Sequence, residues 1–281
     1  MLFKNITILD ENLEVGENKF VATNGDRIEY IGDVKPSGDY GDEYDGKGKL
    51  LMSGFYNAHA HSPMALMRGY GENLALQDWL GTRIFPFEAK LTGNAVYWGT
   101  LLCMAESLSF GIVSTSDMYY FVDDMARAVA DSGAKNNISR SIVNPAGEDF
   151  DSMESVKEMK AAVKALNGAA DGRIIMDTSL HAEYTNDEKT ARALAEYTKE
   201  AGLNMQVHVS ETKTEHEECK GRHGGKTPVE FLADCGIFDT STTAAHCVWI
   251  EGDDYDILKE KGVTVATNPV SNLKLASGIA N

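Results

Sequence analysis

The 281-residue sequence predicts an α/β fold in which a parallel (β/α) barrel follows a small β module. Two observations predict it. From about Gly54 onward, short β-like runs alternate with longer helix-like ones, the rhythm of βα repeats around a parallel sheet. Five of the seven histidines, His59, His61, His181, His208 and His246, fall at the C-terminal ends of those β-like runs, whereas His216 and His223 lie in a polar, charged stretch.

The first fifty or so residues are of another kind. The runs 3–9 and 19–22 alternate weakly in polarity, and Asn24-Gly25-Asp26 is a hairpin signal before the run 27–31. Residues 1–52 are therefore expected to form a small, partial β-sandwich module of antiparallel strands, and residues 53–281 a barrel. Barrel strands are expected over 54–57, 112–116, 138–143, 173–180, 203–209, 242–246 and 262–267. Helices are expected between them, over 94–110, 123–132, 152–166, 187–201, 227–234 and 253–261. Asp187 stands before a charged first turn, and Gly202 and Gly262 follow the last periodic residue of their helices, which are sound end signals. Seven such units point to a TIM-type (β/α)8 barrel lacking its eighth strand, a fold whose chemistry sits at the C-terminal ends of the strands.

The histidines occupy those ends. In a strand, His59 and His61 point to the same face because side chains alternate. Two neutral imidazoles side by side are poor core material and good divalent-metal ligands. An isolated pair of this kind is equally compatible with a hydrogen-bonded surface pair, but three more strand-end histidines make a shared site the better account.

Composition narrows the class. A net charge of −17 argues against nucleic acid as a partner, because phosphate binding needs clustered Lys and Arg. No stretch approaches the roughly twenty apolar residues of a membrane span. The opening MLFKNITILD has no signal-peptide core, so a cytoplasmic location is expected. The four cysteines, Cys103, Cys219, Cys235 and Cys247, show no CxxC spacing and read as reduced thiols. An apolar share of 43% is ample for one large domain and a small one.

Six segments, in this order, carry a resemblance: MSGFYNAHAHSPMALMRGY, LQDWLGTRIFPFEAKLT, HAEYT, MQVHVSETKTEHEEC, TTAAHCVWI and NPVSNLKLASG. Together they resemble the amidohydrolase superfamily, in particular the branch that deaminates S-adenosylhomocysteine and methylthioadenosine, and the likeness covers essentially the whole chain. The resemblance implies His59, His61 and His208 as metal ligands and His246 as the strand-end histidine beside the attacking water. It implies Glu211 as the proton-shuttling carboxylate, Glu88 as the holder of ribose hydroxyls, His181 and Arg140 as contacts to the rest of a nucleoside, and Trp79 as a pocket wall. The implied cofactor is zinc, with ferrous iron as the alternative, since three imidazoles and a carboxylate suit both. The implied partner is a small purine nucleoside, and a homo-oligomer or a complementary C-terminal chain is a further expectation.

Taken singly, several of these residues have blander readings. Glu211 could begin a solvated acidic run with Glu215, Glu217 and Glu218, which reads as the solvent face of a helix. His181 could be a hydrogen-bonded strand-end histidine, Arg140 could pair with a nearby acid, and Trp79 and Phe85 could be core. The sequence also departs from the family: the aspartate ligand of a Gly-Thr-Asp motif, expected about twenty residues beyond SNLKLASGIAN, is not in it. The chain is accordingly expected to be a C-terminally truncated product or one part of a split enzyme, with two unpaired strand edges. Related aminohydrolase activity on guanine, cytosine or a triazine, and an inactive fragment needing a complementary chain, are the alternatives to nucleoside deamination by the full-length enzyme.

Overall fold

Strands β1 (Leu2–Leu9), β2 (Val15–Asn24) and β3 (Arg27–Gly32) form an antiparallel meander in the computed structural model, which describes residues 1–281. The β2–β3 turn is Gly25-Asp26, with Gly25 at φ 57°, the conformation an Asn-Gly hairpin signal calls for. On its other edge β1 pairs in parallel with two short strands, β4 (Glu43–Asp45) and β5 (Leu50–Leu51). The sheet is thus mixed rather than purely antiparallel. Strands of three and two residues are too short to show an alternation, which is why the sequence does not announce them. This unit comprises Met1–Phe55, and the second comprises Tyr56–Asn281.

The second unit is built on β6 (Phe55–Ala60), β7 (Ile112–Tyr119), β8 (Lys135–Ile142), β9 (Ile174–Leu180), β10 (Met205–Val209), β11 (Thr242–His246) and β12 (Thr264–Ala266), neighbours in space in the order they occur in the chain. The ladders from β7 to β12 are parallel. The sheet is strongly curled. Strands four places apart in a flat sheet would be about 19 Å apart, at about 4.8 Å per strand. Yet the His59 ring on β6 and the His208 ring on β10 have centroids 4.8 Å apart. Seven strands therefore form a nearly closed barrel, the fold class expected from the βα rhythm, with β6 and β12 at the ends of the path.

Every expected barrel strand is present, and β11 coincides with its expected bounds. β7 and β8 run longer than their apolar patterns suggest, because polar residues inside the barrel satisfy one another. Asp117 is buried and accepts from the Ser62 backbone N–H at 3.0 Å and from Asn136 Nδ2 at 3.1 Å, so Asn136 belongs to the strand. Polar burial is tolerated where hydrogen bonds are complete.

The helices follow their end signals. Asp187 caps the helix Glu188–Ala201 by accepting from Thr190 N at 2.9 Å, and Gly202 closes it at φ 64°. The buried faces of Glu188–Ala201 and Pro228–Asp234 pack around Leu180, Met205, Val207 and Ala244, while Val122–Ser132 packs around Ile138, Ile174 and Met176. The acidic run in helix Lys213–Arg222 corrects one expectation. Glu217 and Glu218 are exposed, but Glu215 and His216 are each only 2% exposed. No helix is long and apolar enough to cross a membrane.

Ile138 is fully buried in this core, so Ile138→Ala is expected to lower unfolding stability by about 2–5 kcal/mol. Asp187→Ala, which removes a cap and no core volume, should cost only about 1 kcal/mol. Urea titrations of both variants check the ordering, and equal losses would contradict the packing described here.

Candidate active site

The C-terminal ends of β6 and β10 bring His59, His61 and His208 together, with one ring nitrogen of each within 4.8 Å of the others. The tautomers follow from their partners. His61 Nδ1 is 2.7 Å from the Met118 carbonyl and His208 Nδ1 is 2.6 Å from the His181 carbonyl. A carbonyl oxygen can only accept, so both Nδ1 atoms carry the proton and both Nε2 atoms present lone pairs. Those two Nε2 atoms face each other at 3.2 Å, and His59 Nε2 is buried without a hydrogen-bond partner. Two nitrogens bound at about 2.0–2.1 Å to one tetrahedral zinc sit about 3.3–3.4 Å apart. Facing lone pairs repel unless a cation lies between them, so this donor set fits a divalent metal. Burial lowers the proton affinity of all three imidazoles, which keeps them neutral and able to bind.

Two further strand ends complete the surroundings. The turn after β10 presents Glu211, whose Oε1 stands 3.6 Å from His246 Nδ1 at the end of β11. His246 Nδ1 lies 2.8 Å from Asn272 Oδ1, and Ser277 Oγ lies 3.5 Å from Glu211 Oε1. Asn272 and Ser277 come from the NPVSNLKLASG segment, where nothing in the sequence separates them from their neighbours. The backbone here is strained: Ser210, His246 and Cys247 have φ of 47°, 73° and 47°. Left-handed non-glycine residues persist only where the surroundings over-determine them, and they cluster at functional sites. Burial pushes the Glu211 carboxyl up to about 7, against the pull of the Ser277 hydroxyl.

His59, His61, His208, Glu211 and His246 line a cavity of about 270 Å³ together with Trp79, Glu88 and His181. One wall is the segment Leu76–Trp79, Leu80–Ile84 and Phe85–Glu88, helical with a π turn in its middle. It contributes Leu76, Trp79, Leu80, Ile84, Phe85 and Glu88, so Trp79 and Phe85 are pocket wall, and Phe85, 43% exposed, is not core. Burial pushes Glu88 up to about 6. His181 donates no side-chain nitrogen to the imidazole cluster; its Nδ1 is 3.1 Å from Thr185 Oγ1, and burial, with the nearby His61, lowers its proton affinity to about 4. Arg140 does not line this cavity. It lines a neighbouring one, which shares Phe85, Glu88 and Tyr120, and there its Nε donates to Glu158 Oε2 at 2.7 Å. The lining contains two acids, Glu88 and Glu211, and no aspartate. Tyr119 is a member that sequence reasoning missed, and its hydroxyl is buried beside Glu88.

Residues 50–281 match the amidohydrolase family. The chain belongs to that family. A protein of Caldanaerobacter subterraneus subsp. tengcongensis named 5-methylthioadenosine/S-adenosylhomocysteine deaminase is 41% identical over 281 residues, which are 100% of this chain and 64% of the relative. A Methanosarcina mazei protein named 5'-deoxyadenosine deaminase is 38% identical, over 100% of this chain and 65% of its own length. This amidohydrolase chain therefore spans just under two thirds of the length of these relatives. Among solved structures, a zinc-bound adenosine deaminase from Xanthomonas campestris superposes with a TM-score of 0.86 at 26% identity, covering 99% of this chain and 64% of the other. A guanine deaminase from C. acetobutylicum, with a TM-score of 0.85 at 18% identity over 99% of this chain and 69% of its own, shares the amidohydrolase fold.

Two outcomes follow for the metal-free protein. Glu211 binds its proton at about 7 when folded, against an ordinary value of 4.5. Between those values the folded chain holds more protons than the unfolded one, so this group makes stability fall as pH rises through the window. Glu211→Gln should then be more stable than wild type by up to about 3 kcal/mol above pH 7, with the difference closing toward pH 4.5. Urea unfolding in chelator across this range measures it, and a pH-independent difference would contradict the buried carboxyl. Zinc added at about one hundred times its Kd should stabilise the wild type by about 2.7 kcal/mol, and His208→Ala should abolish most of that gain in a thermal melt.

Proposed function

We propose that this site carries out hydrolytic deamination of an adenine nucleoside, with S-adenosylhomocysteine and 5'-methylthioadenosine as the preferred class and zinc as the metal. The observation that carries the reading is the meeting, in one cavity, of three unprotonated imidazole faces and a buried carboxyl that exchanges its proton near neutrality. The names of the relatives that align along the full chain support the choice of nucleoside. The zinc in the adenosine deaminase structure supports the choice of metal.

His59, His61 and His208 would hold the cation. When bound, a divalent metal lowers the pKa of water toward about 7 and so supplies a nucleophile at neutral pH. The protein's own groups handle the protons. Glu211 takes a proton from the attacking water and delivers it to the ring nitrogen as the C–O bond forms at the amino-bearing carbon. It then takes the remaining proton from the hydroxyl now on that carbon and passes it to the amino group, the C–N bond breaks, and ammonia leaves as the oxygen becomes the carbonyl. Asn272 Oδ1 fixes the proton of His246 on Nδ1, so His246 Nε2 is left to accept a hydrogen from the water and orient it. Glu88, ionised above about 6, accepts the paired ribose hydroxyls, and Trp79 gives the base or sugar a flat apolar wall.

The cavity that adjoins the main one favours a nucleoside with a 5' extension over a bare base. It shares Glu88 with the main cavity and is lined by Arg140, whose guanidinium could exchange Glu158 for a carboxylate at the end of that extension.

Ammonia release from the zinc-loaded chain is expected with S-adenosylhomocysteine and 5'-methylthioadenosine in excess over guanine, cytosine or an aminotriazine. Glu211→Gln should keep its zinc by elemental analysis and lose at least about 100-fold in kcat. Turnover confined to a bare base would replace the nucleoside reading, and an unchanged kcat would remove Glu211 from its role.

A further inference from the structure

We propose that Glu215 is the positioning residue of the site: its buried carboxylate clamps the Ser210–Thr212 turn, and this clamp sets where Glu211 stands against His246. The inference rests on the role proposed above for Glu211. Both oxygens of Glu215 are engaged. Oε1 accepts from Ser210 N at 3.0 Å, and Oε2 accepts from Glu211 N at 2.8 Å and from Thr212 N at 3.4 Å. In return Thr212 Oγ1 accepts from Glu215 N at 3.1 Å, which makes a capping box for the helix Lys213–Arg222.

A capping box needs its carboxylate only to reach the N-cap N–H. Here that bond, to Thr212, is the longest of the three, and the shorter two go to residues that precede the helix. The same chain contains a control. In the box that starts helix Pro228–Asp234, Glu230 Oε2 takes the Thr227 N–H alone, at 2.8 Å. The extra acceptance at Glu215 is therefore not a requirement of starting a helix. It falls on the peptide that needs restraint. Ser210 is left-handed at φ 47°, and its carbonyl accepts from Val248 N at 3.1 Å and Trp249 N at 3.0 Å, just after His246 and Cys247, which are left-handed too. One carboxylate thus ties down the turn whose other side holds the end of β11. With Glu211 Oε1 only 3.6 Å from His246 Nδ1, small movement of this turn separates the two groups.

The test compares zinc-loaded Glu215→Ala, Glu215→Gln and Glu230→Ala with wild type. Glu215→Ala should lose about 10- to 100-fold in kcat, the scale of an ångström-sized misplacement, with KM and zinc content within about twofold. Glu230→Ala, which breaks the control box, should lose comparable stability and keep its kcat. Should Glu215→Ala not fold, Glu215→Gln decides, because Gln still serves a capping box but surrenders one of the two acceptor oxygens, and its kcat should fall at least about tenfold. A kcat within about twofold of wild type in the folded variant overturns the proposal, as does an equal kcat loss in Glu230→Ala. If wild type itself turns over no nucleoside, the functional reading fails and amide exchange decides the clamp. Exchange at Ser210, Glu211 and Thr212 should speed at least about tenfold in Glu215→Gln over wild type, and unchanged exchange overturns it.

Discussion

The contact on which this structure turns is the approach of two unprotonated nitrogens, His61 Nε2 and His208 Nε2, at 3.2 Å. Two carbonyls, of Met118 and His181, hold the protons on the opposite ring atoms, so neither imidazole can turn the contact into a hydrogen bond without giving up the bond it has. Burial removes the other escape, protonation. The arrangement is stable chemistry only around a cation. It also requires strands four places apart to meet, so the curl of the sheet and the donor set are one constraint seen at two scales. The carbonyl of Met118 belongs to β7 and that of His181 follows β9, so each imidazole is oriented by the strand beside its own.

How much of this was readable in the sequence follows from how local each signal is. The two-residue spacing of His59 and His61 and the placement of His208 and His246 at strand ends are local, and the structure brings all four into one cavity. The βα rhythm is local too, and it located every barrel strand. What escaped depends on partners far along the chain. Asn272 meets His246 across 26 residues, and Ser277 meets Glu211 across 66. The polar extension of β7 and β8 rests on Asp117 and Asn136, which look like loop residues until each finds the other. Glu215 looked like solvent face because it sits among Glu217 and Glu218. Helical spacing turns those two outward and leaves Glu215 facing the barrel with His216 and Cys219.

The two buried carboxylates show why type alone did not reveal role. Glu211 and Glu215 are the same residue four positions apart, and both are nearly inaccessible. Glu211 has no backbone donor and one serine hydroxyl at 3.5 Å, so burial dominates and its proton becomes exchangeable near neutrality. Glu215 is raised further, to about 8, by the same burial and by the neighbouring Glu211, although three backbone N–H groups oppose both. What separates the two is geometry: Glu211 lines the cavity, whereas both oxygens of Glu215 are engaged by backbone N–H groups.

Strain places the division where it is useful. Ser210, His246 and Cys247 all adopt left-handed backbone at the ends of adjacent strands, a costly choice for residues with a Cβ. Cross-strand bonds hold them there: Cys247 N to Val209 O at 3.0 Å, and Val248 N to Ser210 O at 3.1 Å. A parallel ladder that ended in relaxed turns would direct the next side chains away along the strand axis. The reversal instead turns Glu211 back toward the histidines, so that a carboxyl three residues past His208 shares its cavity. Such a turn is stable only on a rigid barrel, which supplies the ladder on one side, and with a buried acceptor on the other. The fold accordingly limits where a carboxyl can stand relative to the three imidazoles. Within those limits, the Ser210–Thr212 turn determines the distance.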